Sequence, residues 1–201
     1  MALKFAVNNS LSAITSLPSG ISGGALNLIS TQTASASATI DFTSGIDSTY
    51  DVYVFKLINI HLSQDDVEFS FNMSSDGGSN YNVTKTTTFF RAYHNEADTL
   101  TALEYRTVDD LAQSTSNQNI FTGLGADNDQ CGVGIITLYN PSSTTFVKHF
   151  MMEMNMVQQA DYNYNFHIAG YGNTTSPINA VRFKPFTGNI DSGVIKLYGV
   201  S

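Results

Sequence analysis

The stretch Val67-Glu68-Phe69-Ser70-Phe71-Asn72-Met73 alternates apolar and polar side chains without a break. A period of two puts one set on each face of an extended chain, the pattern of a half-buried β-strand. Val181-Arg182-Phe183-Lys184 repeats the pattern near the end of the sequence. Ahead of both, Asp-Val-Tyr-Val-Phe-Lys-Leu-Ile-Asn-Ile-His at 51–61 is apolar on both faces and reads as a central strand covered on both sides. Residues 134–139, 145–156, 164–171 and 193–199 are rich in β-branched and aromatic side chains and read as further strands.

Turn chemistry separates these runs. Asp76-Gly77-Gly78-Ser79-Asn80 reads as a hairpin loop between Phe71 and Tyr81. Asn140-Pro141-Ser142-Ser143, Thr187-Gly188-Asn189 and Asp191-Ser192-Gly193 read as turns. The spacing predicts about nine to eleven short strands. Helix formers gather only over residues 98–113, and the Thr101-Ala102-Leu103-Glu104-Tyr105-Arg106 core of that stretch reads equally well as a strand. The expected fold is all-β: an antiparallel β sandwich of jelly-roll type over residues 38–201, with an extended N-terminal arm. Phe69, Phe71, Phe146, Phe150, Phe183, Ile195 and Leu197 are its expected core.

The first 37 residues form a separate compositional unit, and no charge occurs from Phe5 to Ile40. A free linker is usually more charged. This stretch instead carries scattered apolar residues, among them Phe5, Leu11, Ile14 and Leu17. Two readings stand: an arm that attaches to another protein surface through those four residues, or edge strands packed on the chain's own core.

Composition narrows the function classes. Only 13% of the 201 residues are charged, about half the usual share. Ser, Thr and Asn number 22, 21 and 18. Nine basic against seventeen acidic residues give a net charge of −8, which argues against nucleic acid as a partner. No apolar run approaches the ~20 residues that cross a bilayer as a helix, and the opening residues lack a signal-peptide core. Neither a membrane nor a secretory route is expected. Cys131 is the single cysteine, so there is no disulfide framework and no cysteine zinc cluster.

Candidate chemistry is sparse. His61, His94, His149 and His167 lack the spacing of a helical zinc pair. His149 and His167 read as ordinary strand residues with a satisfied ring nitrogen, and His94 as part of a solvated loop. Asp127-Asn128-Asp129 is oxygen-rich enough to suggest Ca²⁺ but lacks the spacing of an EF-hand loop. Gly123-Leu124-Gly125 does not extend to a dinucleotide fingerprint, and no G-x-S-x-G elbow occurs. No catalytic residue, metal site or cofactor is therefore expected, and the chain reads as a non-enzyme. The best ligand-binding candidate is Asp161, Tyr162, Asn163 and Tyr164: tyrosine rings suit the apolar face of a pyranose, and amides its hydroxyls. Met151, Met152, Met154 and Met156 read as core or subunit interface.

Several blocks are distinctive: Met1-Ala2-Leu3-Lys4-Phe5 with residues 10–18, Thr31-Gln32-Thr33-Ala34-Ser35, residues 40–50, residues 139–150 and the closing residues 188–200. Through these, along nearly its whole length, the chain resembles a family of short virion proteins encoded by tailed phages of marine bacteria, of cyanophage and pelagiphage type. The resemblance implies a component of the particle surface, made in the host cytoplasm and assembled into the virion, on the tail (fibre-like) or the capsid (decoration-like). Its partners would be other virion proteins and copies of itself, with a trimer favoured. No catalytic residues come with the resemblance. Two other readings remain open: a receptor-binding tip that recognises host cell-surface glycan, and a polysaccharide depolymerase, which would need two carboxylates facing one another in a cleft.

Overall fold

In the computed structural model, which describes residues 25–201, the alternating stretch is the strand Val67–Ser74. Phe69, Phe71 and Met73 are buried in the core. Ser70 and Asn72 point to the other side, where their polar atoms bond backbone carbonyls. In chain order the strands are β1 (Leu26–Ser37), β2 (Ile40–Phe42), β3 (Val52–Leu62), β4 (Val67–Ser74), β5 (Lys85–Asn95) and β6 (Thr101–Tyr105). Then come β7 (Gln118–Leu124), β8 (Gly132–Tyr139), β9 (Lys148–Gln158), β10 (Tyr162–Gly172), β11 (Ala180–Pro185) and β12 (Ile190–Val200). The described residues contain no helix, so the helical reading of residues 98–113 gives way to strand β6. Three-residue β2 and five-residue β6 are too short to announce themselves by period.

Every strand pair is antiparallel. One ladder runs β1–β12–β3–β8–β9–β10–β5–β6. A second runs β7–β4–β11–β2. Leu124 of β7 pairs with Gln158 of β9 and joins the two, while Ala38 and Thr39 carry the chain from β1 into β2. The network is thus nearly closed into a barrel.

The core lies between the ladders and is dominated by rings. Phe183 of β11 meets Phe55 at 5.6 Å and Phe42 at 6.2 Å, both edge-on, and stacks on Phe69 at 6.3 Å. Phe71 meets Phe150 of β9 edge-on at 5.2 Å. Edge-to-face and offset geometries suit the ring quadrupole. Met152, Met154 and Met156 alternate inward along β9, so this part of the methionine run is core, while Met151 points out.

Four local readings are corrected. Phe146 is 68% exposed, not buried, because β9 starts two residues later at Lys148. The Ser143 hydroxyl accepts from the N–H groups of Thr145 and Phe146 and holds that segment as a loop. The loop at 76–80 does not close a hairpin: β4 pairs with β7 and β11, whereas β5 pairs with β10 and β6. It is a crossover between ladders, folded around the Asp76 carboxylate, which accepts from Ser74 Oγ at 2.7 Å and from the Asn80 N–H at 2.8 Å. Asp191-Ser192-Gly193 is no turn but part of β12, where a bulge shifts the register against β3. Finally, β3 is central between β12 and β8, yet Ile58 and Asn59 are exposed, so its outer face is only partly covered. From Leu26 onward the uncharged segment is an edge strand paired along its length with β12.

Candidate functional site

The stretch singled out as a ligand site divides between two faces. Asp161 closes the β9–β10 hairpin with a positive φ of 60°, and its carboxylate accepts from Gln130 Nε2 at 3.2 Å. Successive residues of a strand point to opposite faces. Tyr162 and Tyr164 accordingly share the inner face, where Tyr93 of β5 lies in register with Tyr164. The three rings are 5.6–5.9 Å apart. Asn163 points the other way and accepts from Asn155 Nδ2 at 2.7 Å.

Arg91 completes the tyrosine cluster, its guanidinium 4.5 Å from the Tyr164 ring centre and 5.1 Å from that of Tyr93. It pairs with Glu104, which lies 3.6 Å from Arg106, and Arg106 in turn holds Asp109 at 2.9 Å. Burial raises the Tyr164 phenol above its ordinary range, against the opposing pull of Arg91. The cluster closes one end of the inner face; Arg91 Nε is buried there without a hydrogen-bond partner. Tyr93, Arg91 and Glu104 escape sequence reasoning because they come from β5 and β6, whose pairing no local motif announces.

The other candidates do not converge. Among the described residues no three His, Cys, Asp or Glu side chains come together as a metal site. His61 Nε2 lies 3.2 Å from the Asp127 carbonyl, and its Nδ1 3.8 Å from Asp191. His94 bonds Asp98 at 3.0 Å on the exposed surface. His149 and His167 are on the outer face of β9 and β10, exposed. Cys131 is half-buried with Asn59 Oδ1 4.0 Å from its sulfur. Phe5, Leu11, Ile14 and Leu17 lie outside the described residues.

Two features were not singled out from the sequence. The first is a pair of fully buried lysines. Lys85 and Lys148 flank Gly172 in register, one on each neighbouring strand. Lys85 Nζ donates to Asn72 Oδ1 at 2.7 Å and Val83 O at 2.8 Å; Lys148 Nζ donates to Phe146 O at 2.7 Å and Thr174 O at 3.3 Å. Neither pairs with a carboxylate among the described residues. Burial lowers both ammonium pKa values, that of Lys85 to about 8.

The second is the outer face of β3, β8 and β9. Ile58, Val133, Ile135, Tyr139 and Met151 project there, each 38–45% exposed. Two shallow recesses, of about 360 and 450 Å³, lie along it, the first holding Lys56 and Glu153 and the second His149 and Tyr171, with a smaller one of about 220 Å³ between them. The signal was present in Gly132-Val133-Gly134-Ile135-Ile136-Thr137-Leu138-Tyr139, apolar on both faces. Ile136 and Leu138 supply the core, and the described chain does not cover the other set.

Compared with known proteins, the chain matches no family model, no curated protein and no solved structure.

Proposed function

We propose that this chain is a non-enzymatic structural protein of a tailed-phage virion, a surface-exposed β module of the tail or capsid that works through protein–protein contacts. The observation that carries the reading is the outer face of β3, β8 and β9. Half-exposed Ile135, Met151, Val133 and Tyr139 sit side by side on regular strands, and a contiguous apolar patch of this kind marks an interaction surface. The sequence resemblance to short virion proteins points the same way.

Strand order supports reading the fold as a jelly roll. The ladder β2–β11–β4–β7 supplies four strands with the connectivity of one jelly-roll sheet. In the facing ladder β3, β5 and β6 take the places expected of the other sheet, with the antiparallel trio β8–β9–β10 standing where one strand would. An odd number of strands leaves every neighbour antiparallel. β1 and β12 extend the β3 edge. The proposal includes self-assembly, with a trimer favoured, and attachment to neighbouring virion proteins through Phe5, Leu11, Ile14 and Leu17.

Density or antibody label for this chain on intact particles tests the reading. Regular copies on the tail or capsid surface are expected. Particles that carry none, from cells that make the protein, would overturn it.

A further inference from the structure

The outer face of β4, β7 and β11 holds a recess of about 510 Å³, within the usual span of ligand sites, about 300–1,000 Å³. Three residues form a row across its floor: Lys184, Ser70 and Asn119 lie side by side in register. Alternation sends these side chains outward because Phe69, Phe71 and Phe183 of the same strands fill the core. One row on, the Phe186 N–H donates to the Glu68 carbonyl at 2.9 Å, which sets the Phe186 ring at the rim, 81% exposed. Ser116 and Asn117 close the β7 side.

The polar groups here retain bonding capacity. Ser70 Oγ donates to Lys184 O at 3.0 Å and keeps its lone pairs. Asn119 commits its Nδ2 to Asp109 at 3.2 Å and keeps its carbonyl oxygen. Asn117 does the reverse: its Oδ1 accepts from Asn72 at 2.9 Å, and its NH₂ group is left over. Neither the Glu68 carboxylate nor the Lys184 ammonium has an ion-pair partner among the described residues. Free donors, on Lys184 and Asn117, and free acceptors, on Glu68, Ser70 and Asn119, therefore line one hollow.

A matching ligand must both donate and accept at several points, carry no strong net charge, and offer a flat C–H face to Phe186. An apolar ligand would strip water from Ser70, Asn119 and Lys184 without replacing its bonds. A polyanion would meet Glu68 and a chain of net charge −8. Hydroxyl groups on a ring satisfy Glu68 as donors and Lys184 as acceptors, and the axial C–H bonds of a pyranose face the negative surface of an aromatic ring. We propose that this recess binds a neutral oligosaccharide of about two or three pyranose units, stacked on Phe186 and hydrogen-bonded by Glu68, Ser70, Asn117, Asn119 and Lys184. The inference stands apart from the virion reading, because it concerns what the isolated chain binds and not where the chain sits.

The test is a titration of the full ¹⁵N-labelled chain with maltotriose, cellotriose, N-acetylated chitotriose and mannotriose, each to about 10 mM, the weak end of specific binding. At least one of them is expected to shift the side-chain amide signals of Asn117 and Asn119 in a saturable way. Phe186→Ala and Glu68→Gln should each weaken that trisaccharide about tenfold or more without moving the unfolding midpoint, since both side chains lie outside the core. Tyr162→Ala should leave the affinity unchanged. No saturable shift with any of the four sugars overturns the inference. So does binding that survives Phe186→Ala and is lost with Tyr162→Ala, which would place the site at the tyrosine cluster.

Discussion

Lys85 Nζ donates to Asn72 Oδ1 at 2.7 Å, and both residues are buried. Asn72 turns its amide nitrogen to the Tyr81 and Thr115 carbonyls and to Asn117 Oδ1. One asparagine thus ties β4 to the segment that leaves it, to the segment that enters β7, and to the first residue of β5. The crossover after β4 is held by this hub, where a hairpin would have used a ladder. The lysine at its centre has no carboxylate to balance it among the described residues, so its charge is held by oxygen dipoles alone.

That arrangement sets a pH dependence. Burial lowers the Lys85 pKa from 10.5 to about 8, so between those values the unfolded chain holds more protons than the folded one. Stability then rises with pH across that window. Lys148 is shifted the same way. Above pH 10 the sign reverses, because burial raises the phenols of Tyr53, Tyr81 and Tyr164, which stay protonated in the fold after they ionise in the unfolded chain. Urea unfolding from pH 7 to 11 should show a maximum near pH 9–10, with the Lys85 contribution on the order of 2 kcal/mol. Lys85→Met should flatten the rising limb. A rising limb unchanged in that variant would refute the assignment.

Much of this architecture was readable from side-chain period, and the unreadable parts share a cause. Alternation points to Phe69, Phe71 and Phe183 as core, and β-branched and aromatic content to Phe150, Ile195 and Leu197; all six are buried. Phe146 falls in the same expected strand, residues 145–156, as Phe150 but is held out of it by Ser143, a bond that side-chain composition does not see. Asp191-Ser192-Gly193 has turn composition, yet the pairing of β12 with β3 absorbs it as a bulge. Tyr162, Asn163 and Tyr164 looked like one site because they are adjacent, and strand alternation divides them. The partners that build the tyrosine cluster and the Asn72 hub arrive from strands distant in sequence, where the information is topology.

Phe183 is the ring that most others touch, meeting Phe42, Phe55, Phe69 and Phe71. Removing it empties the centre of the core and breaks the contact between β11 and β3. Phe183→Ala should cost about 3–5 kcal/mol, measured as a lower urea midpoint at unchanged slope. Phe146→Ala, at an exposed ring, should stay within about 0.5 kcal/mol. Equal losses in the two variants would show that the core is misplaced.

Gly193 adopts φ of +130° at the β12 bulge, and a Cβ there would stand 2.8 Å from the Asn59 carbonyl oxygen. Asn59 itself has a positive φ of 49° on the facing strand. Space and backbone both forbid a side chain, so Gly193→Ala should lose about 1–3 kcal/mol. Gly77 also has positive φ, at +73°, but nothing lies within 4 Å of its would-be Cβ. Gly77→Ala should therefore cost less than Gly193→Ala, and thermal melts of the two variants compare them directly. The reverse order would argue against the bulge.

The outer face of β3, β8 and β9 gives the assembly prediction. Ile135 and Met151 are each 45% exposed at its centre, and Tyr139 leans its hydroxyl toward the Met151 sulfur at 3.9 Å. A specific interface takes about 800 Å² from each partner, and regular strands carrying Ile58, Val133, Ile135, Tyr139 and Met151 offer a flat apolar surface for one. Charge there is sparse: Lys56 and Glu153 line the same recess, so a second copy would meet both signs. A carboxylate at position 135 would lie in register between Lys56 and Glu153, so the one neighbouring cation would be shared by two carboxylates, and losing its water on association would still cost several kcal/mol. Ile135→Glu should therefore dissociate the assembly. Its own fold should remain, because Ile136, not Ile135, faces the core. Light scattering at micromolar concentration should give an oligomer, a trimer by preference, for the wild-type chain and a monomer for Ile135→Glu, with matching circular dichroism. A wild-type monomer under those conditions, or an oligomer indifferent to the substitution, would remove this face from the assembly.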